Sequence, residues 1–231
     1  MNSNTQSQYY SKKSQGIYSI KNIKLSRIVV ELTFLLLGES THAVIPKDTT
    51  GGGDFITENT RYCNYSRVII GKTEGILTAS HCVNKRTEKD LTYFHGSALL
   101  NHEITRKFQQ LPSLKISKLS ENTLIGQNVY IPGYLENKEG NKYYFIISGS
   151  VEKDTQSGFV FIKTNEEELL NVKKKLNRTQ SVWRGLSGAP VILSHNDTIV
   201  GVVSEATKDG KYIYFSGPEN LKVLHKLIES K

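Results

Sequence analysis

From residue 67 onward the chain breaks into short apolar runs separated by turn residues, and this spacing restricts its fold more than any other feature. The segments 67–70 (RVII), 75–79 (GILTA), 91–100, 103–108, 114–119, 128–134, 143–150, 159–163, 189–194, 198–204 and 211–215 read as strands. Many short strands at near-regular spacing suggest a sandwich or barrels. Only two segments read as helices. NEEELLNVKKKL (165–176) has a capping Asn, early Glu and late Lys, which suits the helix dipole. SGPENLKVLHKLI, from Ser216, places Glu219 three residues after a capping Ser and Pro218 near the start. Leu221, Leu224 and Ile228 then share one face. No internal sequence repeat is visible.

Composition narrows the functional classes. With 231 residues, 37% of them hydrophobic, the chain can bury one core or two small ones. A charged fraction of 23% argues against wholesale disorder. The net charge of +8 comes from 30 Lys and Arg against 22 Asp and Glu. Those cations are scattered apart from Lys173–Lys175, with no interleaved aromatic platform, so the reading is a solvated basic surface and not a nucleic-acid site. Two cysteines, Cys63 and Cys82, exclude a disulfide-dense mini-protein. Without CxxC or HExxH, no metal or other cofactor is expected, and His95 and His102 read as packing or surface residues.

The polar stretch 1–16 reads as disordered. Lys21, Lys24 and Arg27, the run IVVELTFLLLG and Thr41-x-Ala43 then resemble a secretory signal cleaved after Ala43. Glu31 departs from that pattern, and a buried N-terminal strand or helix is the other reading. The run is too short for a comfortable membrane span, which needs about 20 residues. A secreted or periplasmic location is therefore expected.

Two stretches carry chemistry. WRGLSGAPVIL (183–193) crowds glycines and a proline around Ser187, and GILTASHCV (75–83) ends an apolar strand at His81. Alone, the first reads as a turn and His81 as a helix-start or surface residue. Together, ILTASHC and GLSGAPV resemble the two signature segments of trypsin-like (chymotrypsin-fold) serine proteases, with His before Ser in chain order. TIVGVVSEA (198–206) is similar to the family's strand along the substrate cleft, and the segment from Pro218 to its C-terminal helix. The competing hydrolase motif GxSxG fails at Ala189.

The resemblance implies an all-β fold of two antiparallel Greek-key β-barrels with a C-terminal α-helix. Residues 44–125 would form the first barrel, carrying His81, and 126–231 the second, carrying Ser187 and the helix, after an N-terminal segment 1–43. It implies a serine endopeptidase acting on protein or peptide substrates through an acyl-enzyme. Ser187 would be the nucleophile and His81 the general base, with the amides of Gly185 and Ser187 as the oxyanion hole. Ser181, six residues before the nucleophile, would lie at the base of the specificity pocket. Ser204, Glu205 and Ala206 would form its wall. Cys63 and Cys82, nineteen apart, would form the disulfide that the family often places beside its histidine.

The pattern breaks in two places. Aligning SLKISKL with the family's strand puts Gln110 where the third, acidic residue belongs, with Asp90 and Glu103 as other candidates. The chain would then run on a Ser–His dyad, recruit another acid, or be a pseudoprotease that serves as a binding module. Leu186 stands where zymogen-type members carry the Asp that pairs with a newly cut N-terminus, so activation by that route is not expected.

Overall fold

A computed structural model of the chain describes residues 50–53, 63–70, 73–83, 91–94, 96–100 and 111–230, all within the unit His42–Lys231. The signal-like segment, the expected strand 103–108, His95, His102, Asp90, Glu103 and Gln110 lie outside the described residues. The apolar runs that are described become strands. These are β1 (Gly51–Gly53), β2 (Cys63–Ile70), β3 (Thr73–Ala79), β4 (Leu91–Phe94), β5 (Ser97–Leu100), β6 (Leu114–Ile116), β7 (Asn128–Glu136) and β8 (Lys142–Lys153). They continue as β9 (Val160–Thr164), β10 (Pro190–Leu193), β11 (Thr198–Ala206) and β12 (Tyr212–Ser216). Helices α1 (Glu121–Leu124), α2 (Glu166–Leu176) and α3 (Pro218–Glu229) complete the described elements. The run 91–100 is not one strand. It turns at Gly96 into the antiparallel pair β4–β5, because a left-handed φ of +85° at that glycine reverses the chain.

Six strands close into a barrel. β7 pairs with β8, β8 with β9, β9 with β12, β12 with β11, β11 with β10, and β10 returns to β7, every pair antiparallel. Closure leaves no free strand edge on this ring. Alternate residues point inward, so Val129 and Ile131 of β7 join Ile147, Val151, Ile162, Val191, Val200 and Ile213 in one core. Leu169, Val172 and Leu176 of α2 pack on the same core. Asn165 caps α2 by accepting from the amides of Glu167 and Glu168, and acidic first and basic last turns complement the dipole.

β6 runs parallel to both β11 and β2 and carries the sheet from the barrel into β2, β3, β5 and β4. Val68, Leu77, Ala79, Cys82 and Leu99 form a second core, which Leu221 and Leu224 of α3 cover. Each buried Leu contributes about 2 kcal/mol. The cap of α3 differs from the sequence expectation. Ser216 is still paired with Val202 in the sheet, so Gly217 takes the cap position and no side chain bonds the first turn. No described helix is long and apolar enough to cross a membrane.

Candidate active site

His81 stands on a one-turn 3-10 helix, Ser80–Cys82, at the end of β3. Two of the described attachments of that turn are a disulfide and a backbone bond. Cys82 is fully buried and disulfide-bonded to Cys63, the first residue of β2. The Ser80 amide donates to the Gly96 carbonyl at 2.9 Å. A ring nitrogen of His81 lies within 4.8 Å of both sulfurs. Being oxidised, these sulfurs offer no thiolate to a metal. The imidazole itself is exposed.

The Ser187 loop folds through successive short turns. Amides of Arg184, Leu186 and Ala189 donate to the carbonyls three residues back, at 3.1, 2.9 and 3.0 Å. The Gly188 amide donates to Val203 in β11 at 2.9 Å. Among amides 184–189, only those of Gly185 and Ser187 donate to no acceptor among the described residues. Both residues are partly exposed. Gly185 has φ +95° and Gly188 φ +84°, in the region that favours glycine. A Cβ on Gly188 would lie 2.0 Å from the Asn64 carbonyl oxygen. Leu186 is fully buried in the barrel core. Its contact with the chain at Gly133 is so close that a Cβ there would come within 2.6 Å of Leu186 Cδ1.

Sequence reasoning missed Asn64, the residue that ties this loop to the sheet. Its side chain is fully buried. Nδ2 donates to the carbonyls of Gly185 and Tyr134 at 2.7 and 3.1 Å, and Oδ1 accepts from the Tyr134 amide at 2.7 Å. Its backbone N–H holds the Ser187 carbonyl at 2.7 Å, and its backbone carbonyl accepts from Thr78 Oγ1 at 2.7 Å. The whole amide is thus satisfied, as a buried amide must be. A polar residue directly after the first cysteine, in a strand otherwise bound for the core, was the available signal.

His81 and Ser187 line one cleft of about 680 Å³. Ser187 Oγ makes no hydrogen bond among the described residues, so the pair meets across the cleft without a direct bond. Gly185, Ser181 and Ala206 line the same cleft. Ser204 and Glu205 do not. The β11–β12 register slips between Val203 and Glu205, and Ser204 Oγ turns to the Tyr214 carbonyl at 3.4 Å. Trp183, also in the lining, donates from Nε1 to the Gly210 carbonyl at 2.7 Å.

No family model and no curated protein matches the chain. Solved structures do match its fold. A thermostable serine protease from an extremophilic microorganism is similar over 80% of this chain and 100% of its own, at 13% identity and a TM-score of 0.55. Kallikrein-related peptidase 10, in its zinc complex, is similar over 83% of this chain and 98% of its own, at 11% identity and a TM-score of 0.51. A protein of M. tuberculosis H37Rv, crystallised in an inactive form as a serine-to-alanine mutant, matches over 86% and 94% at 14% identity and a TM-score of 0.50. The chain has the trypsin-like serine protease fold. On this protease fold, the two segments singled out in the sequence reach a common cleft.

Proposed function

We propose that the chain is a serine endopeptidase that cleaves peptide bonds through an acyl-enzyme. One observation carries the reading: beside Ser187, in a cleft shared with His81, the two amides of Gly185 and Ser187 have no acceptor among the described residues while their neighbours are bonded. A serine hydroxyl is too weak a nucleophile until a base takes its proton. His81 accepts that proton as Ser187 Oγ attacks the substrate carbonyl. The oxygen that becomes negative accepts from the two amides, each worth about 3 kcal/mol in the barrier. His81 then protonates the leaving amine, and water, deprotonated by the same imidazole, releases the acyl group. Catalytic hydrogen bonds are commonly long in an unliganded site, so the open Ser187–His81 pair suits this role.

The group that orients His81 is assigned to Gln110, with Asp90 or Glu103 as the alternative acids. If Gln110 holds that position, Gln110→Glu raises the rate, whereas loss of activity in Asp90→Asn or Glu103→Gln moves the assignment to that residue. The Cys63–Cys82 disulfide accords with an oxidising compartment, outside the cell or in the periplasm. Labelling by a fluorophosphonate probe, mapped to Ser187 and lost in His81→Ala, is the expected result. An unlabelled, folded protein would mean a binding module instead.

A further inference from the structure

The cleft that holds His81 and Ser187 is strongly and one-sidedly charged. Among the described residues, Lys138, Arg178, Arg184 and Lys208 line it against one acid, Glu136. None of the four cations forms an ion pair among the described residues. Arg178 and Lys208 flank the loop's entry and the end of the wall strand, and Arg184 directly precedes the oxyanion glycine. Arg178 is only partly exposed, and its Nη2 bonds the Asn137 carbonyl at 3.2 Å. Burial, and then the positive Arg184, push its pKa below the usual guanidinium value, with Glu136 only partly offsetting them. Among the described residues, Glu136 alone offsets that guanidinium, and only in part, which leaves room for a further counter-anion.

The geometry points to a substrate carboxylate as that counter-anion: the cleft takes a peptide with an acidic side chain, Glu or Asp, next to the bond presented to Ser187. This rests on the protease reading and names its substrate class. Arg178 would hold the carboxylate through charge-assisted hydrogen bonds, which are shorter and stronger than neutral ones. Arg184, Lys138 and Lys208 add a positive field focused by the cleft walls. A Lys or Arg side chain would meet like charge, and a neutral one would leave the cations as they are. Ser181 at the cleft adds a hydroxyl and no negative charge.

The test separates binding from turnover. Fluorescence anisotropy of the full-length protein carrying Ser187→Ala, which cannot form the acyl-enzyme, measures the affinity of one labelled peptide made in three versions, with Glu, Gln or Lys at the position before the scissile bond. Glu is expected to bind at least about tenfold more tightly than Gln, with Lys weakest, and the Glu–Gln gap narrows at about 1 M salt. Arg178→Gln or the more exposed Arg184→Gln should shrink the gap, while Lys222→Gln on α3, outside the cleft, should leave it intact. Equal affinity for Glu and Gln, or a gap unmoved by both arginine variants, overturns the inference whatever the fluorophosphonate result. A short oligonucleotide that displaces the Glu peptide as well as unlabelled peptide does so too, because the site would then recognise phosphate. Absence of probe labelling, with the Glu preference present, overturns the protease reading alone.

Discussion

The loop that carries Ser187 and the turn that carries His81 are both tight, yet they are held by opposite means. The loop rests on a web of small terms. Its amides bond to carbonyls three back and to β11, Leu186 sits in the barrel core, and Asn64 grips the carbonyls of residues 185 and 187. The turn is tied differently, with Cys82 buried in the second core. Its described restraints include the covalent tie from Cys82 to Cys63 and a backbone bond to Gly96. A web of bonds each worth about 1 kcal/mol forms only when the whole barrel forms. A cross-link instead acts through the unfolded chain and makes the turn answer to redox conditions.

The largest expected effect treats the two regions as one device. Under the proposed mechanism, Ser187→Ala and His81→Ala should each lower kcat by about a millionfold and to nearly the same residual rate, because a nucleophile and its base act as a unit. Steady-state kinetics on any cleaved peptide checks this, and a His81→Ala protein that keeps most of its activity breaks the pairing.

Next comes the loop's backbone. Gly188→Ala puts a methyl 2.0 Å from the Asn64 carbonyl oxygen and 2.3 Å from Thr78 Oγ1, at φ +84°. A loss of about 4 kcal/mol or more is expected in urea unfolding, the range reserved for severe clashes. Gly96→Ala, beneath the histidine turn, meets its nearest atom only at 3.4 Å and bears the backbone strain of φ +85° alone. It should lose about 1–2 kcal/mol. Similar losses at the two glycines would erase the contrast between web and tie.

The tie itself ranks third. Reducing Cys63–Cys82, or replacing both cysteines with Ala, frees a loop spanning a sequence separation of 19 and should cost about 3 kcal/mol in the chain-entropy account. Labelling of Ser187 should slow as well, since the base is no longer held at the cleft. Unfolding midpoints that do not move with reductant would show that the strand end alone holds the turn.

How much of this was readable in the sequence follows the range of each interaction. Apolar runs, the α2 cap at Asn165 and the two motifs are local patterns, and the strands and the Ser187 and His81 segments emerged from them. The break at Gly96 inside 91–100 was hidden because a lone glycine in an apolar run does not announce its φ. The Ser216 cap failed because sheet pairing with Val202 outweighed a local signal. Asn64 and the cleft cations were invisible for another reason: Asn64 reaches the loop across 121 residues, and Lys138, Arg178, Arg184 and Lys208 converge only once the barrel closes. In the linear chain they were a diffuse positive charge.

The smallest effect tests whether the two regions communicate. Thr78 precedes the histidine turn on β3, and its hydroxyl bonds the carbonyl of Asn64, whose amide and side chain hold the Ser187 loop. Asn64 is therefore the joint between web and tie. Asn64→Ala removes the side-chain partner of the part-buried carbonyls of Gly185 and Tyr134 and of the Tyr134 amide, for a cost of about 2 kcal/mol. Thr78→Val keeps the shape and removes a single bond, and should cost only about 1 kcal/mol. Asn64→Ala keeps the backbone carbonyl that Thr78 bonds, so two independent sites would give additive losses in the double variant. If Asn64 transmits the restraint, the slack it leaves in the loop also loosens that carbonyl. Thr78→Val then costs less in the Asn64→Ala background, by about 0.5 kcal/mol or more. The same cycle run on the fluorophosphonate labelling rate distinguishes a local bond from a relay. A relay makes Thr78→Val slow labelling of Ser187 in the parent protein and leaves it without effect once Asn64 is Ala. Strict additivity in both stability and labelling would mean that loop and turn are built side by side and only meet at the substrate.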